Sequence, residues 1–224
     1  MYRLAPALLL TAALLPAQLS KEANAGYKTA EDRARVAQSL QSDEREQRQK
    51  PRELLASIGV KKGQTIADIG SGPGFMEPYF LEAVGPTGKV YAEDIQQDFL
   101  DQVKAKIKEN GWKNVETILG GQTNPNLPKG KIDLAFILDA YHHFEDPPTT
   151  LGHIRESLKP GGQLAVIDFY RSRPHPTMSK ERLEGHIRED RDGFAAEIEK
   201  AGFKLVRTFD HLPYQYVLLF EAAK

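Results

Sequence analysis

A chain of 224 residues with 30 Lys and Arg against 31 Asp and Glu is long enough for one α/β domain with an ordinary core, and it needs no metal or disulfide staple. Basic and acidic residues are interleaved rather than gathered into a stripe, which excludes an extended nucleic-acid-binding face. Cysteine is absent, so disulfides, thiolate zinc sites, thiol-dependent metalloid methylation and a lipoprotein anchor are excluded together, while either redox compartment stays open.

At the amino end, Arg3 precedes an apolar segment from Leu4 to Leu15, then polar residues and the small-x-small triplet Ala23-Asn24-Ala25. This pattern predicts a signal peptide over residues 1–25 and export to the periplasm or beyond. The apolar run falls short of the roughly 20 residues of a membrane span, so no stable insertion is expected after cleavage. A mitochondrial transit peptide fits one Arg and so much Leu and Ala badly, and an unprocessed cytoplasmic chain is the alternative. Residues 26–50 form a polar helical segment in which Val36 and Leu40 lie four apart on one face. A solvated helix is expected there, with closure over a ligand as the alternative. Pro51 marks the break before a domain over residues 51–224.

That domain alternates predicted strands and helices: helix 52–58, strand 65–69, helix 75–84, strand 89–94, helix 98–110, strand 115–119, and a fourth strand within Lys131 to Ala140. Helix 148–158, strand 163–169, a loop, helix 190–200 and strands 204–209 and 214–221 complete it. Such alternation argues for a parallel sheet covered on both faces with an antiparallel addition at the end.

The first strand ends in Ile66-Ala67-Asp68-Ile69-Gly70-Ser71-Gly72-Pro73-Gly74-Phe75, an apolar run that breaks into a glycine-rich turn. Gly70 can take positive φ, and Gly72, lacking Cβ, lets the backbone approach a ligand closely. The third glycine of the dinucleotide fingerprint would fall at Phe75 and stands instead at Gly74. The Asp68 carboxylate beside the loop would repel a pyrophosphate and attract an ammonium or sulfonium, which favours S-adenosylmethionine over NAD. Asp94, with Glu93 beside it, ends the second strand about 20 residues on, where a ribose-binding acid is expected.

The chain from about residue 51 resembles the class I S-adenosylmethionine-dependent methyltransferases. The resemblance lies in Asp68 to Gly74, Asp94, His143-Phe144-Glu145-Asp146-Pro147, Leu158-Lys159-Pro160-Gly161-Gly162 and Ala201-Gly202-Phe203. It implies an α/β, Rossmann-like, doubly wound sheet of seven mostly parallel strands with a terminal antiparallel strand. It also implies an S-adenosylmethionine site at Asp68, Gly70, Ser71, Gly72, Gly74, Phe75, Glu93, Asp94 and Asp139, with Gln122 replacing an acid near the adenine amine.

The residues after the fourth strand, Tyr141, His142 and His143, with His186 in the segment after strand five, are the candidate catalytic groups. A histidine there could take a proton from a phenol or enol acceptor. Tyr141 and His142 are expected in the pocket, while for His143 a packing role is weighed equally, and His175 is expected to be a loop residue. No metal site is expected, because adjacent His142 and His143 do not easily share one ion and no carboxylate-histidine helix motif accompanies them.

The reading is a methyltransferase for a small-molecule acceptor, since neither an Asn-Pro-Pro-aromatic tetrad nor a cysteine nucleophile follows strand four. Its rival is a non-catalytic protein that binds S-adenosylmethionine or S-adenosylhomocysteine, a possibility raised by export into a compartment poor in methyl donor. A nicotinamide oxidoreductase ranks third, disfavoured by Asp68 and the missing glycine.

Overall fold

The computed structural model describes residues 20, 22–175 and 177–223. The apolar segment of the expected signal peptide lies outside the described residues. Among the described residues no helix is long and apolar enough to cross a membrane.

Seven strands form one sheet: β1 (Thr65–Ile69), β2 (Lys89–Asp94), β3 (Val115–Leu119), β4 (Ile132–Leu138), β5 (Leu158–Phe169), β6 (Phe203–Phe209) and β7 (Gln215–Ala222). Their order is β3-β2-β1-β4-β5-β7-β6. β1 to β5 pair in parallel, and β7 runs antiparallel between β5 and β6. The expected doubly wound sheet with its antiparallel addition is therefore the observed one. The strand order reverses between β1 and β4, and in open α/β sheets the crevice beyond the carboxyl ends at that point holds the ligand.

Period-two alternation sends neighbouring residues of each central strand to opposite faces. Ala67, Ile69, Ala135 and Ile137 enter one buried cluster with Leu151, Ile154, Phe194 and Ile198. Ile66, Leu134, Phe136 and Val217 enter the other with Leu54, Phe80 and Val84. Two apolar layers of this kind hold the sheet between helices and fix where its strands end.

The helices are α1 (Ala30–Leu40), α2 (Asp43–Gln49), α3 (Pro51–Ile58), α4 (Glu77–Val84), α5 (Gln97–Asn110), α6 (Pro147–Ser157), α7 (Lys180–His186) and α8 (Arg191–Lys200). Local chemistry sets their ends. Thr29 caps α1 by accepting the Asp32 N–H at 3.1 Å, Pro51 opens α3 where no N–H is required, and Asp146 caps α6 through the Thr149 N–H. Helix α7 lies in the stretch expected to be a loop, and Ser179 caps it by accepting the Arg182 N–H.

The segment 26–50 departs from the solvated helix expected of it. It forms two helices, α1 and α2, that lie on the sheet's carboxyl edge and bury Ala37, Arg45 and Gln49. Arg33 in α1 pairs with Asp98 at 2.7 Å, which ties the segment to α5. Burial of two long polar side chains explains why apolar periodicity did not reveal the packed face: Arg45 donates from Nη1 to the Leu40 carbonyl and from Nε to Gln49 Oε1, so these two nitrogens are satisfied inside.

Candidate cofactor and acceptor site

Two cavities open at the carboxyl edge of β1, β2 and β4. The larger, of about 550 Å³, is lined by Gly70, Ser71 and Gly72 from the β1 loop, Glu93 and Asp94 from β2, Gln122 from the β3 loop, and Asp139 and Ala140 from the end of β4. Ile95, Phe99, Pro125 and Leu138 add apolar wall, and Tyr27, Leu40 and Arg45 close it from the amino-terminal side. The smaller, of about 410 Å³, is lined by His142, His143, His175 and His186, with Arg45, Gln49, Phe169, Met178 and Tyr214. Tyr27, Leu40, Arg45, Asp139 and His143 line both, so the two spaces adjoin there.

The glycine loop is held by the acids that come after it in the chain. Gly70 N–H donates to Glu93 Oε2 at 3.3 Å, Ser71 N–H to the Glu93 carbonyl at 2.8 Å, and Gly72 N–H to Asp94 Oδ2 at 2.8 Å. The amides that cradle a phosphate in dinucleotide-binding loops are thereby already engaged, which argues physically against a pyrophosphate. Gly70 sits at φ 72°, and a Cβ there would come 2.7 Å from Ala140 Cβ, so the position needs glycine for both conformation and space.

The electrostatics favour a cation. Burial pushes the Asp94 carboxyl up to about 6 and the Asp139 carboxyl up to about 6. Burial also raises Glu93 and Asp68 well above the carboxylate range, with Glu77 adding to the effect on Asp68. Glu77, at the start of α4 and fully buried, is pushed up to about 7 by burial, and its carboxylate oxygens have no hydrogen-bond partner among the described residues. Arg45, 7% exposed, is the cationic counterpart, and its charge lowers Asp68, Glu77 and Asp139 against the effect of burial. Its guanidinium also stacks 4.4 Å over the Phe75 ring.

These groups fit S-adenosylmethionine. Asp94 and Glu93 would accept from the ribose hydroxyls, Arg45 would meet the carboxylate, and Asp139, the acid beside Arg45 that lines the cavity, the ammonium. The apolar rim at Ile95, Phe99 and Pro125 would hold adenine. Ile95 is 40% exposed and lines the cavity, so its side chain is open to a ligand there.

Of the residues singled out in the sequence, Gly70, Ser71, Gly72, Glu93, Asp94, Gln122 and Asp139 line this cavity. Asp68, Gly74 and Phe75 do not. Asp68 is buried behind the loop, Gly74 contacts Glu77 and Val103 through the space its missing side chain leaves, and Phe75 lies under Arg45 and against Tyr79. Sequence reasoning missed Arg45, Tyr27, Ile95 and Glu77. A charged residue within a helix of otherwise ordinary polarity carries no local signal for Arg45, whereas an acid just after a glycine loop could have marked Glu77.

Asp139 divides the two cavities. It stands at φ 55°, its N–H donates to the Ile167 carbonyl, and its two carboxylate oxygens accept from Gln49 Nε2 at 2.6 Å and from Gln215 Nε2 at 2.7 Å.

In the second cavity a 3-10 turn, Tyr141–His143, carries the candidate catalytic residues. Tyr141 corrects the expectation of a pocket residue. It is fully buried and lines neither cavity; its hydroxyl donates to Glu197 Oε1 at 2.6 Å and its ring packs on Phe194 and Phe144. The turn after β4 breaks strand alternation and rotates this side chain into the core.

His142 is in the cavity wall as expected. Its Nδ1 lies 2.8 and 3.0 Å from the carboxylate oxygens of Asp168, which also accepts the His142 backbone N–H. His142 Nε2 lies 3.2 Å from His186 Nε2. His143 is in the wall too, lining both cavities, with Nδ1 2.8 Å from Asn24 Oδ1 and its ring edge-on to Tyr27. Burial lowers His143 well below the ordinary imidazole range and His186 to about 4, aided by His142, so both are neutral at pH 7. His175 is in a loop, as expected, yet its ring packs on Phe169 and faces the cavity. The objection that neighbouring His142 and His143 cannot share an ion does not hold here. The turn folds their rings to 4.1 Å between centroids, and one ligand atom from each of His142, His143 and His186 lies within 4.8 Å of the others.

The sequence profile of the ubiE/COQ5 methyltransferase family matches residues 44–184. A demethylmenaquinone methyltransferase of Lactococcus lactis is 34% identical over 124 residues, covering 55% of this chain and 48% of that protein. A ubiquinone/menaquinone biosynthesis C-methyltransferase UbiE of Pseudoalteromonas translucida is 31% identical over 131 residues, covering 58% of this chain and 51% of that protein. The chain thus spans about half the length of the curated relatives it matches. Among solved structures, a SAM dependent methyltransferase of Aquifex aeolicus superposes with a TM-score of 0.76 at 26% identity, covering 83% of this chain and 96% of that one.

Proposed function

The chain belongs to the ubiE/COQ5 methyltransferase family, and from that membership we propose that it is an S-adenosylmethionine-dependent methyltransferase acting on a small hydroxylated aromatic ring of the quinol type, at a ring carbon. The observation that carries this reading is the junction of two cavities: one with the donors for a cationic nucleoside, the other lined by aromatic and imidazole rings, sharing Asp139 and His143. The names of the relatives, a demethylmenaquinone methyltransferase and a ubiquinone/menaquinone biosynthesis C-methyltransferase, support the acceptor class, and the second supports carbon as the target. A protein that only held the nucleoside would have no use for the second cavity or for its histidines.

S-adenosylmethionine supplies a methyl group already activated on a sulfonium, so what the protein adds is alignment and exclusion of water, worth up to roughly 7–11 kcal/mol. Asp139, fixed from both sides by Gln49 and Gln215, holds the wall at which acceptor and donor meet. A phenolic ring carbon is a weak nucleophile until the neighbouring hydroxyl ionises. The histidine group beside the cavity, in which half-buried His143 and His186 are neutral at pH 7, is where that proton leaves. Asp168 fixes the His142 ring by accepting from Nδ1–H, so its Nε2 lone pair points toward His186. As the carbon–carbon bond forms, the sulfonium–methyl bond breaks and its electron pair stays on sulfur, giving neutral S-adenosylhomocysteine; the ring proton is then lost to solvent as aromaticity returns.

The reading includes export, supported by Arg3, the apolar run after it and the Ala23-Asn24-Ala25 triplet.

Calorimetry with S-adenosylmethionine, S-adenosylhomocysteine and NAD tests the cofactor, and labelled donor with phenols, quinols, thiols and small carboxylic acids tests the acceptor. Binding of both S-adenosyl compounds, no binding of NAD, and label in a quinol or phenol ring are expected. Failure to bind either S-adenosyl compound overturns the reading.

A further inference from the structure

The geometry points to a divalent metal site formed by His142, His143 and His186, with its open position facing the second cavity. For a tetrahedral zinc with Zn–N bonds of about 2.0–2.1 Å, ligand nitrogens stand about 3.3 Å apart. His142 Nε2 and His186 Nε2 are 3.2 Å apart, and the third ligand atom, from His143, falls within 4.8 Å of both. Closing that gap to a tetrahedral edge takes a shift of about 1 Å or more, within reach of side-chain rotation at the half-buried His143 and His186.

The surroundings have the features of a metal centre. A metal-bound imidazole nearly always donates its other ring N–H to a carboxylate or amide oxygen, which fixes its tautomer and aims the free nitrogen at the metal. His142 Nδ1 has the fully buried Asp168 at 2.8 Å. His143 Nδ1 has Asn24 Oδ1 at 2.8 Å. Two of three rings are thus oriented in the required way by groups from distant parts of the chain. Three imidazoles without a carboxylate or thiolate ligand suit zinc, cobalt, nickel or copper and disfavour magnesium and calcium, which prefer oxygen. Three protein ligands leave a fourth position for water or an acceptor oxygen, the arrangement of a catalytic rather than a structural ion.

The chemical consequence rests on the proposed acceptor class. With a metal bound, the ligating histidine nitrogens no longer serve as the proton acceptor; an acceptor hydroxyl that replaces metal-bound water then ionises at lower pH, its proton passing to solvent, while the metal keeps its charge and oxidation state. Metal binding itself stands apart from methyl transfer and is tested apart from it.

The test uses chain freed of metal by chelator and titrated with Co²⁺, then with Zn²⁺ in competition. One Co²⁺ per chain is expected, with visible bands of a low-symmetry site that Zn²⁺ abolishes. His186→Ala should abolish stoichiometric binding, Asp168→Asn should weaken it about 10- to 100-fold, and S-adenosylhomocysteine affinity should stay within a few-fold in both. If a variant does not fold, long-range ¹⁵N spectra of the wild-type imidazoles replace it, and all three rings should shift with one equivalent of Zn²⁺. The inference is overturned if wild-type chain takes up no stoichiometric metal, if the double variant His142→Ala, His186→Ala binds as well, or if the rings do not respond together. Metal uptake with no methyl transfer to any acceptor would overturn the proposed function and leave the metal site standing.

Discussion

Asp168 and His142 form a fully internal pair: the carboxylate at the end of β5 meets Nδ1 of the imidazole at 2.8 Å, and neither side chain is more than 2% exposed. The pair decides which imidazole nitrogen faces the cavity. Asp168→Asn can present its amide N–H to Nδ1 and so favour the wrong tautomer. We expect kcat to fall by about 10²-fold or more while S-adenosylhomocysteine affinity changes only a few-fold. Equal losses in both measurements would show that Asp168 merely supports the fold.

Tyr141→Phe should act on stability and leave turnover nearly intact. It removes a buried hydroxyl that donates at 2.6 Å to Glu197, a carboxylate that keeps two bonds from Arg188. A loss of about 1–3 kcal/mol is expected from denaturant unfolding. A large fall in kcat with unchanged stability would return Tyr141 to the catalytic set.

The cofactor cavity should respond to both ends of its charge pattern. Asp94→Ala is expected to weaken S-adenosylmethionine binding about 10- to 100-fold, the equivalent of about 1.5–3 kcal/mol. Arg45→Gln should weaken it by a similar factor, with the deficit smaller for 5′-methylthioadenosine, which lacks the amino-acid carboxylate. If Arg45→Gln costs both ligands equally, the guanidinium is holding the wall and does not meet the carboxylate. Gly70→Val should prevent binding altogether, because both its φ and its space are unavailable to a branched side chain.

Protons should compete with the cofactor. Asp94 and Asp139 rise from 3.8 to about 6, and Glu77 from 4.5 to about 7, all through burial. Folded chain therefore holds protons that unfolded chain has lost between pH about 4 and about 7, so these groups make stability fall as pH rises through that window and level off above it. A bound cation favours the ionised carboxylates, so affinity should move the other way and rise with pH to about 7. Calorimetry at pH 6 in buffers of different ionisation enthalpy should show proton release, and an affinity that is flat between pH 5 and 8 would contradict this account.

Processing after Ala25 should give a mature chain that begins at Gly26, measured as intact mass of the exported fraction. Cleavage there would remove Asn24, which bonds the His143 ring and the His143 carbonyl. Recombinant chains starting at Ser20 and at Gly26 should therefore differ in Co²⁺ affinity. A product that keeps Met1 in the cytoplasm would end the export reading.

The parts of this molecule that can be read from its sequence are those whose cause is local. A strand, a glycine turn and an acid 20-odd residues later sit together because adjacent parallel strands must place them so, and Gly72 and Asp94 do meet at 2.8 Å. The acceptor side is assembled from pieces far apart in sequence: Asn24 reaches His143, and His186 reaches His142. No pattern of spacing announces such meetings. Tyr141 departs from expectation for a different reason, since strand alternation stops at Leu138 and a 3-10 turn sets the direction of the Tyr141 side chain. Arg45 escapes sequence reasoning because a buried guanidinium leaves the same letter in the sequence as an exposed one.

Asp139 draws one oxygen bond from Gln49 in an early helix and the other from Gln215 in the last strand. The partition between donor and acceptor is therefore finished only when the carboxyl-terminal strand has inserted between β5 and β6. A chain still emerging during synthesis, or one trimmed at its end, would have the glycine loop and its acids in place and yet lack a completed wall. Ligand occupancy then reports completion of the polypeptide. A bound ligand should slow hydrogen exchange at Gln49 and Gln215 together, as though the two distant ends were a single cooperative unit.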